Sequence, residues 1–328
     1  MTALVTGATG YIGQRLVARL LEAGGSVRAL VLPGEDTRAL EGAEVVWGDV
    51  SEPETLWAAC RGVRRIYHLA ARVGDWGPEA EFWTINVEGT RNVLRAAERA
   101  DCERVVMVSS IVIYGSQLRT ATCSEDLARE PGVGPYSRTK AASEELALTW
   151  HAAGRVPVAV IRPGNVFGPG APLWVDSLTR VLRAGRGLLI SGGDGDAALA
   201  YVDHVAELIA RAGEAAAAAG RIYNATDGGG VSWRRYLSDL ARLAGAKRPR
   251  ASVPYGVAYT LAAAMEHGYG FLRRNQRPLL TRDAAMLLGS RAPVPIGRAM
   301  AELGFSTQVS YENAMELVAA KLHRRPAA

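Results

Sequence analysis

ALVTGATGYIG, residues 3–13, carries an apolar β-type run directly through three glycines and out into an amphipathic pattern. Gly7, Gly10 and Gly13 fall at three-residue intervals, and the stretch that follows, IGQRLVARLLEAG, repeats apolar residues at helical spacing. Strand, tight turn and helix in that order give the glycines distinct tasks. The first permits the turn, the second lets backbone approach a pyrophosphate, and the third lets the helix pack close to the strand. The helix N-terminus adds free N–H groups and the positive end of its dipole, so the stretch reads as a dinucleotide-binding unit. Its candidate contacts are Gly7, Gly10, Tyr11, Ile12 and Gly13.

Further apolar runs of strand length follow: SVRALVL, EVVWGDV, RIYHLAA, RVVMVSS, VAVIRPG and RIYNATD. Most are continuous rather than alternating, as strands buried on both faces are. Helical patterns such as ETLWAACRG, NVEGTRNVLRAAERA and SRTKAASEELALTWHAAG separate them. This alternation predicts an α/β fold, a Rossmann-type doubly wound parallel sheet with helices on both faces. After Pro169 the pattern loosens: APLWVDSLTRVLRAGRG leaves the sheet, and YVDHVAELIARAGEAAAAAG with RIYNATD returns to it. We therefore expect a dinucleotide-binding domain from residues 1–170 with about 200–228. Residues from about 171–199 with 229–328 should form a smaller, mostly helical C-terminal substrate lobe.

Composition narrows the partners. The 328 residues are 48% hydrophobic, enough for a substantial core, and the net charge of +5 comes from 38 basic and 33 acidic residues that are interspersed. No basic stripe with interleaved aromatics suggests nucleic acid. Cys60, Cys102 and Cys123 form no CxxC pair, which points to reduced thiols in a cytoplasmic setting and to no metal. MTALVTGATG runs into the glycine loop without a secretion leader, so the fold is expected to start at Met1. The longest apolar stretch, YGVAYTLAAAMEHGYGFL at 255–272, is interrupted by Glu266, His267 and three glycines. It reads as a helix of the globule, or at most one lying on a membrane surface, and not as a span.

GPYSRTK, residues 134–140, places a tyrosine and a lysine four apart at a helix start, with Pro135 preset for a first helical position. Tyr136 and Lys140 then share one face. A phenol titrates near 10. An ammonium about 4 Å away contributes on the order of 4 kcal/mol at an intermediate dielectric, enough to bring the phenol toward neutrality before desolvation opposes it. Ser109 and Ser110 end the run RVVMVSS, at the strand end where such sheets bind ligands, and a hydroxyl there can polarise a carbonyl.

Taken with GDV at 48–50, HLAA at 68–71, NVEGTRNVL at 86–94, IRPGNVFGPG and YVDHVAE, these motifs resemble the extended short-chain dehydrogenases/reductases, the NAD-dependent epimerase/dehydratase family. The match runs in order to about residue 228, and RIYNATDGGGVSWRRYLSDLARLAG with AMAELGFSTQVSYENAMELV resembles the tails of its 3β-hydroxysteroid dehydrogenase-like branch. The resemblance implies Tyr136 as general acid/base and Lys140 as holder of the nicotinamide ribose that lowers the tyrosine pKa. Ser110 would polarise the carbonyl, with Ser109 as its neighbour in case of misalignment. Asp49 and Val50 would contact adenine, Leu69, Ala70 and Ala71 would line the cofactor, and Pro163 and Val166 would wall the nicotinamide. Asn86 is either a structural or ribose-side polar residue, or a helix N-cap before VEGT.

NAD and NADP both remain open. SVRALVL ends in Val31 and Leu32 instead of an acidic or basic residue; Arg28 and Arg38 flank it on one side of the question and Glu35 and Asp36 on the other, with a slight lean to NADP. Trp76, Phe82, Trp83, Phe167, Leu173 and Trp174 are candidate pocket residues for an apolar ligand, although any one of them fits packing at the lobe junction as well. Family members acting on nucleotide sugars commonly carry a phosphate-binding arginine where this chain has Ala198, Leu199 and Ala200; Arg186, Arg221 or Arg282 would have to substitute. The expectation is hydride transfer with a hydrophobic ketone or secondary alcohol. The alternatives are nucleotide-sugar epimerisation on tightly bound NAD and dinucleotide sensing without chemistry. NVEGTRNVLRAAERA and SRTKAASEELALTWHAAG resemble the family's dimer helices and imply a homodimer.

Overall fold

The computed structural model describes residues 2–272 and 276–324. Its centre is a parallel sheet of β1 (Thr2–Thr6), β2 (Ser26–Val31), β3 (Glu44–Trp47), β4 (Arg65–His68), β5 (Arg104–Val108), β6 (Val158–Pro163) and β10 (Ile222–Ala225). The spatial order is β10-β6-β5-β4-β1-β2-β3, so the direction of winding reverses between β1 and β4. Ligands of open α/β sheets bind outside the carboxyl ends of the strands at such a reversal. Here Val5 registers with Ala29 on one side and Tyr67 on the other.

Both faces of the sheet are covered, which is why its strands read as unbroken apolar runs. Val5, Ala29, Val31, Val106 and Ile161 pack under α1 (Tyr11–Glu22) and α7 (Val202–Glu214). Leu4, Leu30, Ile66, Met107 and Val160 pack on the opposite face, under α2 (Pro53–Ala59), α4 (Gly89–Arg99) and α5 (Pro135–Ala152). A separate cluster around Phe167, Tyr201, Trp233 and Tyr236 joins α8 (Trp233–Leu243) and α12 (Tyr311–Arg324) to two short parallel strands, β7 (Asn165–Phe167) and β9 (Leu199–Tyr201). β8 (Leu189–Ile190) pairs with β11 (Ser252–Val253), next to α9 (Tyr255–Phe271). Further helices are α6 (Leu178–Arg183), α10 (Arg282–Leu288) and α11 (Gly297–Leu303).

Two local readings need correction. The helix expected from Asn86 begins earlier, at α3 (Glu79–Phe82), and runs through a π-helical stretch, Trp83–Glu88, into α4. Pro78 stands at its start and Glu79 and Glu81 occupy its first turn, where carboxylates favour the helix dipole. Two of the candidate pocket aromatics, Phe82 and Trp83, are therefore helical, and Asn86 is no N-cap. The strands also stop at Trp47, His68 and Val108, before the apolar runs end, because GDV, LAA and SS turn onto the rim.

The glycine loop shows how tightly that rim is drawn. Gly7 has φ +67°, and a Cβ there would sit 2.7 Å from the Ala70 nitrogen; a Cβ on Gly13 would sit 2.1 Å from the Gly7 carbonyl oxygen. Gly13→Ala has no flexible neighbour to displace, only backbone. It should lower stability by about 1–3 kcal/mol in urea unfolding, and an unchanged midpoint would contradict this packing.

Candidate active site

Six strand ends converge on one rim. β1 delivers the glycine loop, and β4 delivers Leu69, Ala70 and Ala71. The Leu69 amide donates to the Thr6 carbonyl (3.2 Å), and the Ala70 amide to the Thr6 hydroxyl (3.2 Å). β3 delivers Asp49, whose Oδ1 accepts from the Ser51 amide (2.8 Å), and Val50, whose carbonyl accepts from Asn92 (3.0 Å). β6 ends at buried Pro163 and leads to half-buried Val166 on β7. Tyr11 and Ile12 stand on the same rim, but their side chains pack against the Phe167 cluster. The Tyr11 hydroxyl is buried without a hydrogen-bond partner.

Ser110, Tyr136 and Lys140 meet at the end of β5. Ser110 caps the 3₁₀ turn Ile111–Arg119, its Oγ accepting from the Val112 amide at 3.3 Å, and its side chain neighbours the Tyr136 phenol. Ser109 points elsewhere in bonding terms: its amide donates to Ile161 (2.7 Å), and its Oγ is buried and unpartnered. Lys140 is 5% exposed and its ammonium donates to the Val108 carbonyl at 2.5 Å.

The expected acidification of Tyr136 is absent. Burial pushes its phenol up to about 12, and only the Ser110 hydrogen bond opposes the rise. The amine is committed to the Val108 carbonyl. Burial also brings Lys140 down to about 8, partly offset by the Glu144 carboxylate one turn along the helix. The same desolvation acts on both groups with opposite sign, because one is charged when protonated and the other when deprotonated.

Several residues that hold the site were not singled out from the sequence. Glu144 and Arg162, 0% and 1% exposed, form a bidentate pair, Nη2 to Oε1 at 2.6 Å and Nε to Oε2 at 3.1 Å. Arg162 Nη1 also donates to the Tyr114 hydroxyl at 2.7 Å. An arginine inside the apolar strand VAVIRPG was the available signal, since a buried guanidinium requires a partner. Asp283 of α10 accepts from the Gly134 amide at 3.2 Å, just ahead of α5, and burial raises its carboxyl to about 6. Asn86, which the sequence did single out, joins three segments: its Oδ1 accepts from the Arg72 amide (2.7 Å), and its Nδ2 donates to the Arg72 carbonyl (3.2 Å) and to Thr139 (3.0 Å). His68 lies between Thr6 (2.8 Å) and Thr90 (3.0 Å), and burial lowers its pKa to about 3, so it is neutral.

Glu35 lies four residues beyond the end of β2, yet its Oε2 accepts from the Leu32 amide at 3.2 Å and from the Thr9 hydroxyl at 2.8 Å. That carboxylate thus bridges the second strand end and the glycine loop. Arg28 is engaged with Glu44 and with the carbonyls of Ala59 and Arg61, and Arg38 with Asp36. A dinucleotide fits this rim: the loop is too tight for a Cβ at Gly7 or Gly13, and the buried Ser109 hydroxyl has a free bond to give.

Residues 3–226 match the model of the NAD-dependent epimerase/dehydratase family. The chain belongs to that family. It is an extended short-chain dehydrogenase/reductase, as its motifs led us to expect, and its similarity to curated relatives runs the full length. It is 31% identical to a 4-hydroxy-2-methyl-3-oxo-4-farnesyl-3,4-dihydroquinoline-1-oxide ketoreductase of Stigmatella aurantiaca, over 96% of this chain and 95% of the relative. It is 30% identical to a 2-alkyl-3-oxoalkanoate reductase of Stenotrophomonas maltophilia, over 96% and 97%. The crystal structure of gox2253 superposes with a TM-score of 0.82 at 25% identity, covering 98% of each chain.

Within this short-chain reductase the expected pocket aromatics divide. Phe82 and Phe167 are core residues, and Trp174 packs on Trp233 with ring centroids 5.5 Å apart. Trp76 meets Tyr269 of α9 edge-on at 6.4 Å, while Trp83 and Leu173 are exposed.

Lys140 sets a pH dependence of stability. Its ordinary value of 10.5 applies in the unfolded chain and about 8 in the folded one, so between them unfolding takes up a proton. Stability from this group therefore rises with pH across that window and is flat below about 8. The difference in unfolding free energy between wild type and Lys140→Met, measured in urea from pH 7 to 10, should shift in favour of wild type as pH rises. A constant difference would show that the ammonium is not desolvated.

Proposed function

We propose that this reductase converts an apolar ketone to a secondary alcohol with NADH, using Ser110, Tyr136 and Lys140. The observation that carries the reading is the convergence at the carboxyl end of β5 of Ser110, which neighbours the Tyr136 phenol, and the buried ammonium of Lys140 on the Val108 carbonyl. When bound, the nicotinamide supplies hydride at C4. Ser110 holds the substrate carbonyl oxygen and Tyr136 donates the proton that completes the alcohol. A phenol pushed up to about 12 is protonated throughout the neutral range, which is the form reduction requires. Lys140 holds the nicotinamide ribose. Gly7, Gly10 and Gly13 seat the pyrophosphate at the start of α1, where N–H groups and the helix dipole favour the anion. Leu69, Ala70 and Ala71 lie along the dinucleotide, Pro163 and Val166 wall its nicotinamide, and Asp49 and Val50 meet the adenine.

An apolar substrate is favoured by what surrounds the rim. Ala198, Leu199 and Ala200 are buried apolar residues, Arg221 pairs with Glu302, and Arg282 pairs with Glu266, which leaves a sugar diphosphate few charge-assisted donors. The curated relatives' substrates, one farnesylated and one an alkyl-oxoalkanoate, are ketones with hydrocarbon chains. Residues 171–199 and 229–328 would form the lobe that receives the chain.

Glu35 favours NAD over the NADP toward which the sequence leaned. Its carboxylate at the second strand end can accept from an adenosine ribose hydroxyl and would repel a 2′-phosphate, while Arg28 and Arg38 are already paired.

Tyr136→Phe should reduce turnover of a long-chain β-keto substrate by about 10²–10⁴ with dinucleotide affinity nearly unchanged, followed by nicotinamide absorbance. Turnover near wild type would end the assignment. Conversion of a nucleotide sugar without net cofactor change would favour epimerisation instead. Glu35→Ala should shift the ratio of NAD to NADP dissociation constants by about tenfold or more toward NADP. An unchanged ratio would remove Glu35 from cofactor selection.

A further inference from the structure

α9 turns an apolar face outward that no described element covers. Val257 and Leu261 are each 50% exposed, Phe271 89% and Leu272, just past the helix, 60%. With exposed Ala264 and Gly268 they recur at spacings of three and four, so they form one stripe. The stripe contains no charged side chain. Everything that anchors the helix lies on its other side. Ala258 and Ala262 are buried, Tyr255 lies under the Arg119 guanidinium at 3.6 Å, and Glu266 pairs with Arg282 at 2.5 Å. Scattered exposed apolar residues are ordinary in proteins, but a contiguous stripe marks a contact surface.

Positive charge adjoins this stripe along the sequence. Lys247, Arg248 and Arg250 precede the helix, are exposed, and have no ion pair among the described residues. Arg273 and Arg274 follow Leu272 in the sequence, and from 247 to 274 the sole acidic residue is Glu266, which is already paired. We propose that α9 lies in the plane of an anionic membrane surface, its stripe at the boundary of headgroups and acyl chains and the 247–250 cations on lipid phosphates. No helix among the described residues is long and apolar enough to cross a bilayer, so the helix rests on the surface. A second copy of the chain is a poorer occupant, because it offers the 247–250 cations no unpaired carboxylate along this segment: the sole acidic residue, Glu266, pairs with Arg282.

The contact bears on the site because Trp76 meets Tyr269, and Arg277 pairs with Asp75 at 2.5 Å, which joins the loop after Ala71 to α9 and the segment following it. Delivery of an apolar ketone from the bilayer to that rim rests on the proposed function; membrane binding itself does not.

Flotation of the purified full chain with vesicles tests this without turnover. Binding to phosphatidylcholine vesicles containing phosphatidylglycerol should exceed binding to phosphatidylcholine alone by about tenfold or more. It should weaken as salt shortens the screening length from about 10 Å toward 3 Å. Leu261→Ser/Phe271→Ser and, separately, Lys247→Glu/Arg248→Glu/Arg250→Glu should each lose about tenfold in vesicle binding while retaining the wild-type circular dichroism spectrum. Failure of wild type to float with the anionic vesicles, or equal flotation of wild type and both variants, overturns the proposal. So does an apolar-stripe variant that turns a wild-type dimer into a monomer in sedimentation while wild type ignores vesicles, which would assign the stripe to a second copy. Loss of ketone turnover with flotation intact would count against the proposed chemistry alone.

Discussion

The buried ammonium of Lys140, 2.5 Å from the carbonyl of Val108, is the constraint around which the rim is assembled. A lysine that is 5% exposed loses most of its hydration, and one hydrogen bond does not replace it. The structure answers with a carboxylate one turn along: Glu144 favours the charged lysine and is itself held by Arg162 of β6. Arg162 then binds Tyr114, which donates to Asn224 at 2.8 Å at the edge strand β10. A single desolvated charge thereby ties α5 to β5, β6 and β10. Removing one member of such a buried pair leaves the other uncompensated, a cost of about 3–5 kcal/mol in comparable cases, so the network holds Lys140 in place by making its loss expensive elsewhere.

That network also explains what was and was not legible in the sequence. The parallel sheet followed from unbroken apolar runs, because two-sided burial leaves no polar alternation to confuse the reading. The glycine loop followed because Gly7 and Gly13 are required by backbone clearances of less than 3 Å. Ser110 and Tyr136 followed from their placement at a strand end and a helix start. Glu35 stood out only as one of four charged residues around the second strand end, since three residues of loop separate it from β2, and only the return of its carboxylate to Leu32 and Thr9 puts it on the rim. The acidity of Tyr136 did not follow: i,i+4 spacing fixes a shared face but not whether an amine is directed at the phenol or at a nearby carbonyl.

The C-terminal segment shapes the rim from outside the sheet. Asp283 binds the Gly134 amide, and a Cβ at Gly134 would fall 2.3 Å from that carboxylate, so α10 fixes where the helix bearing Tyr136 begins. Thr281 caps α10 and donates to Asp75 at 2.5 Å, and Arg277 binds the same carboxylate. The loop after β4, the start of α5 and the segment following α9 are thus one connected polar assembly. Short elements such as β8 and β11, two residues each, leave no periodic signal, which is why this side of the molecule read only as loosely helical.

Proton affinity sets the resting protonation of the site. Lys140 at about 8 and Tyr136 at about 12 are ordered so that the ammonium is the stronger acid, the reverse of the order expected if the ammonium simply acidified the phenol. In the proposed reduction, Tyr136 gives its proton to a developing alkoxide, a far stronger base than a phenolate. The phenolate left behind is stronger in turn than neutral Lys140, so recovery of its proton from the lysine side runs downhill. Burial therefore keeps Tyr136 protonated in the resting site, the form the proposed reduction starts from, while making the phenol a weaker acid and its phenolate a stronger base.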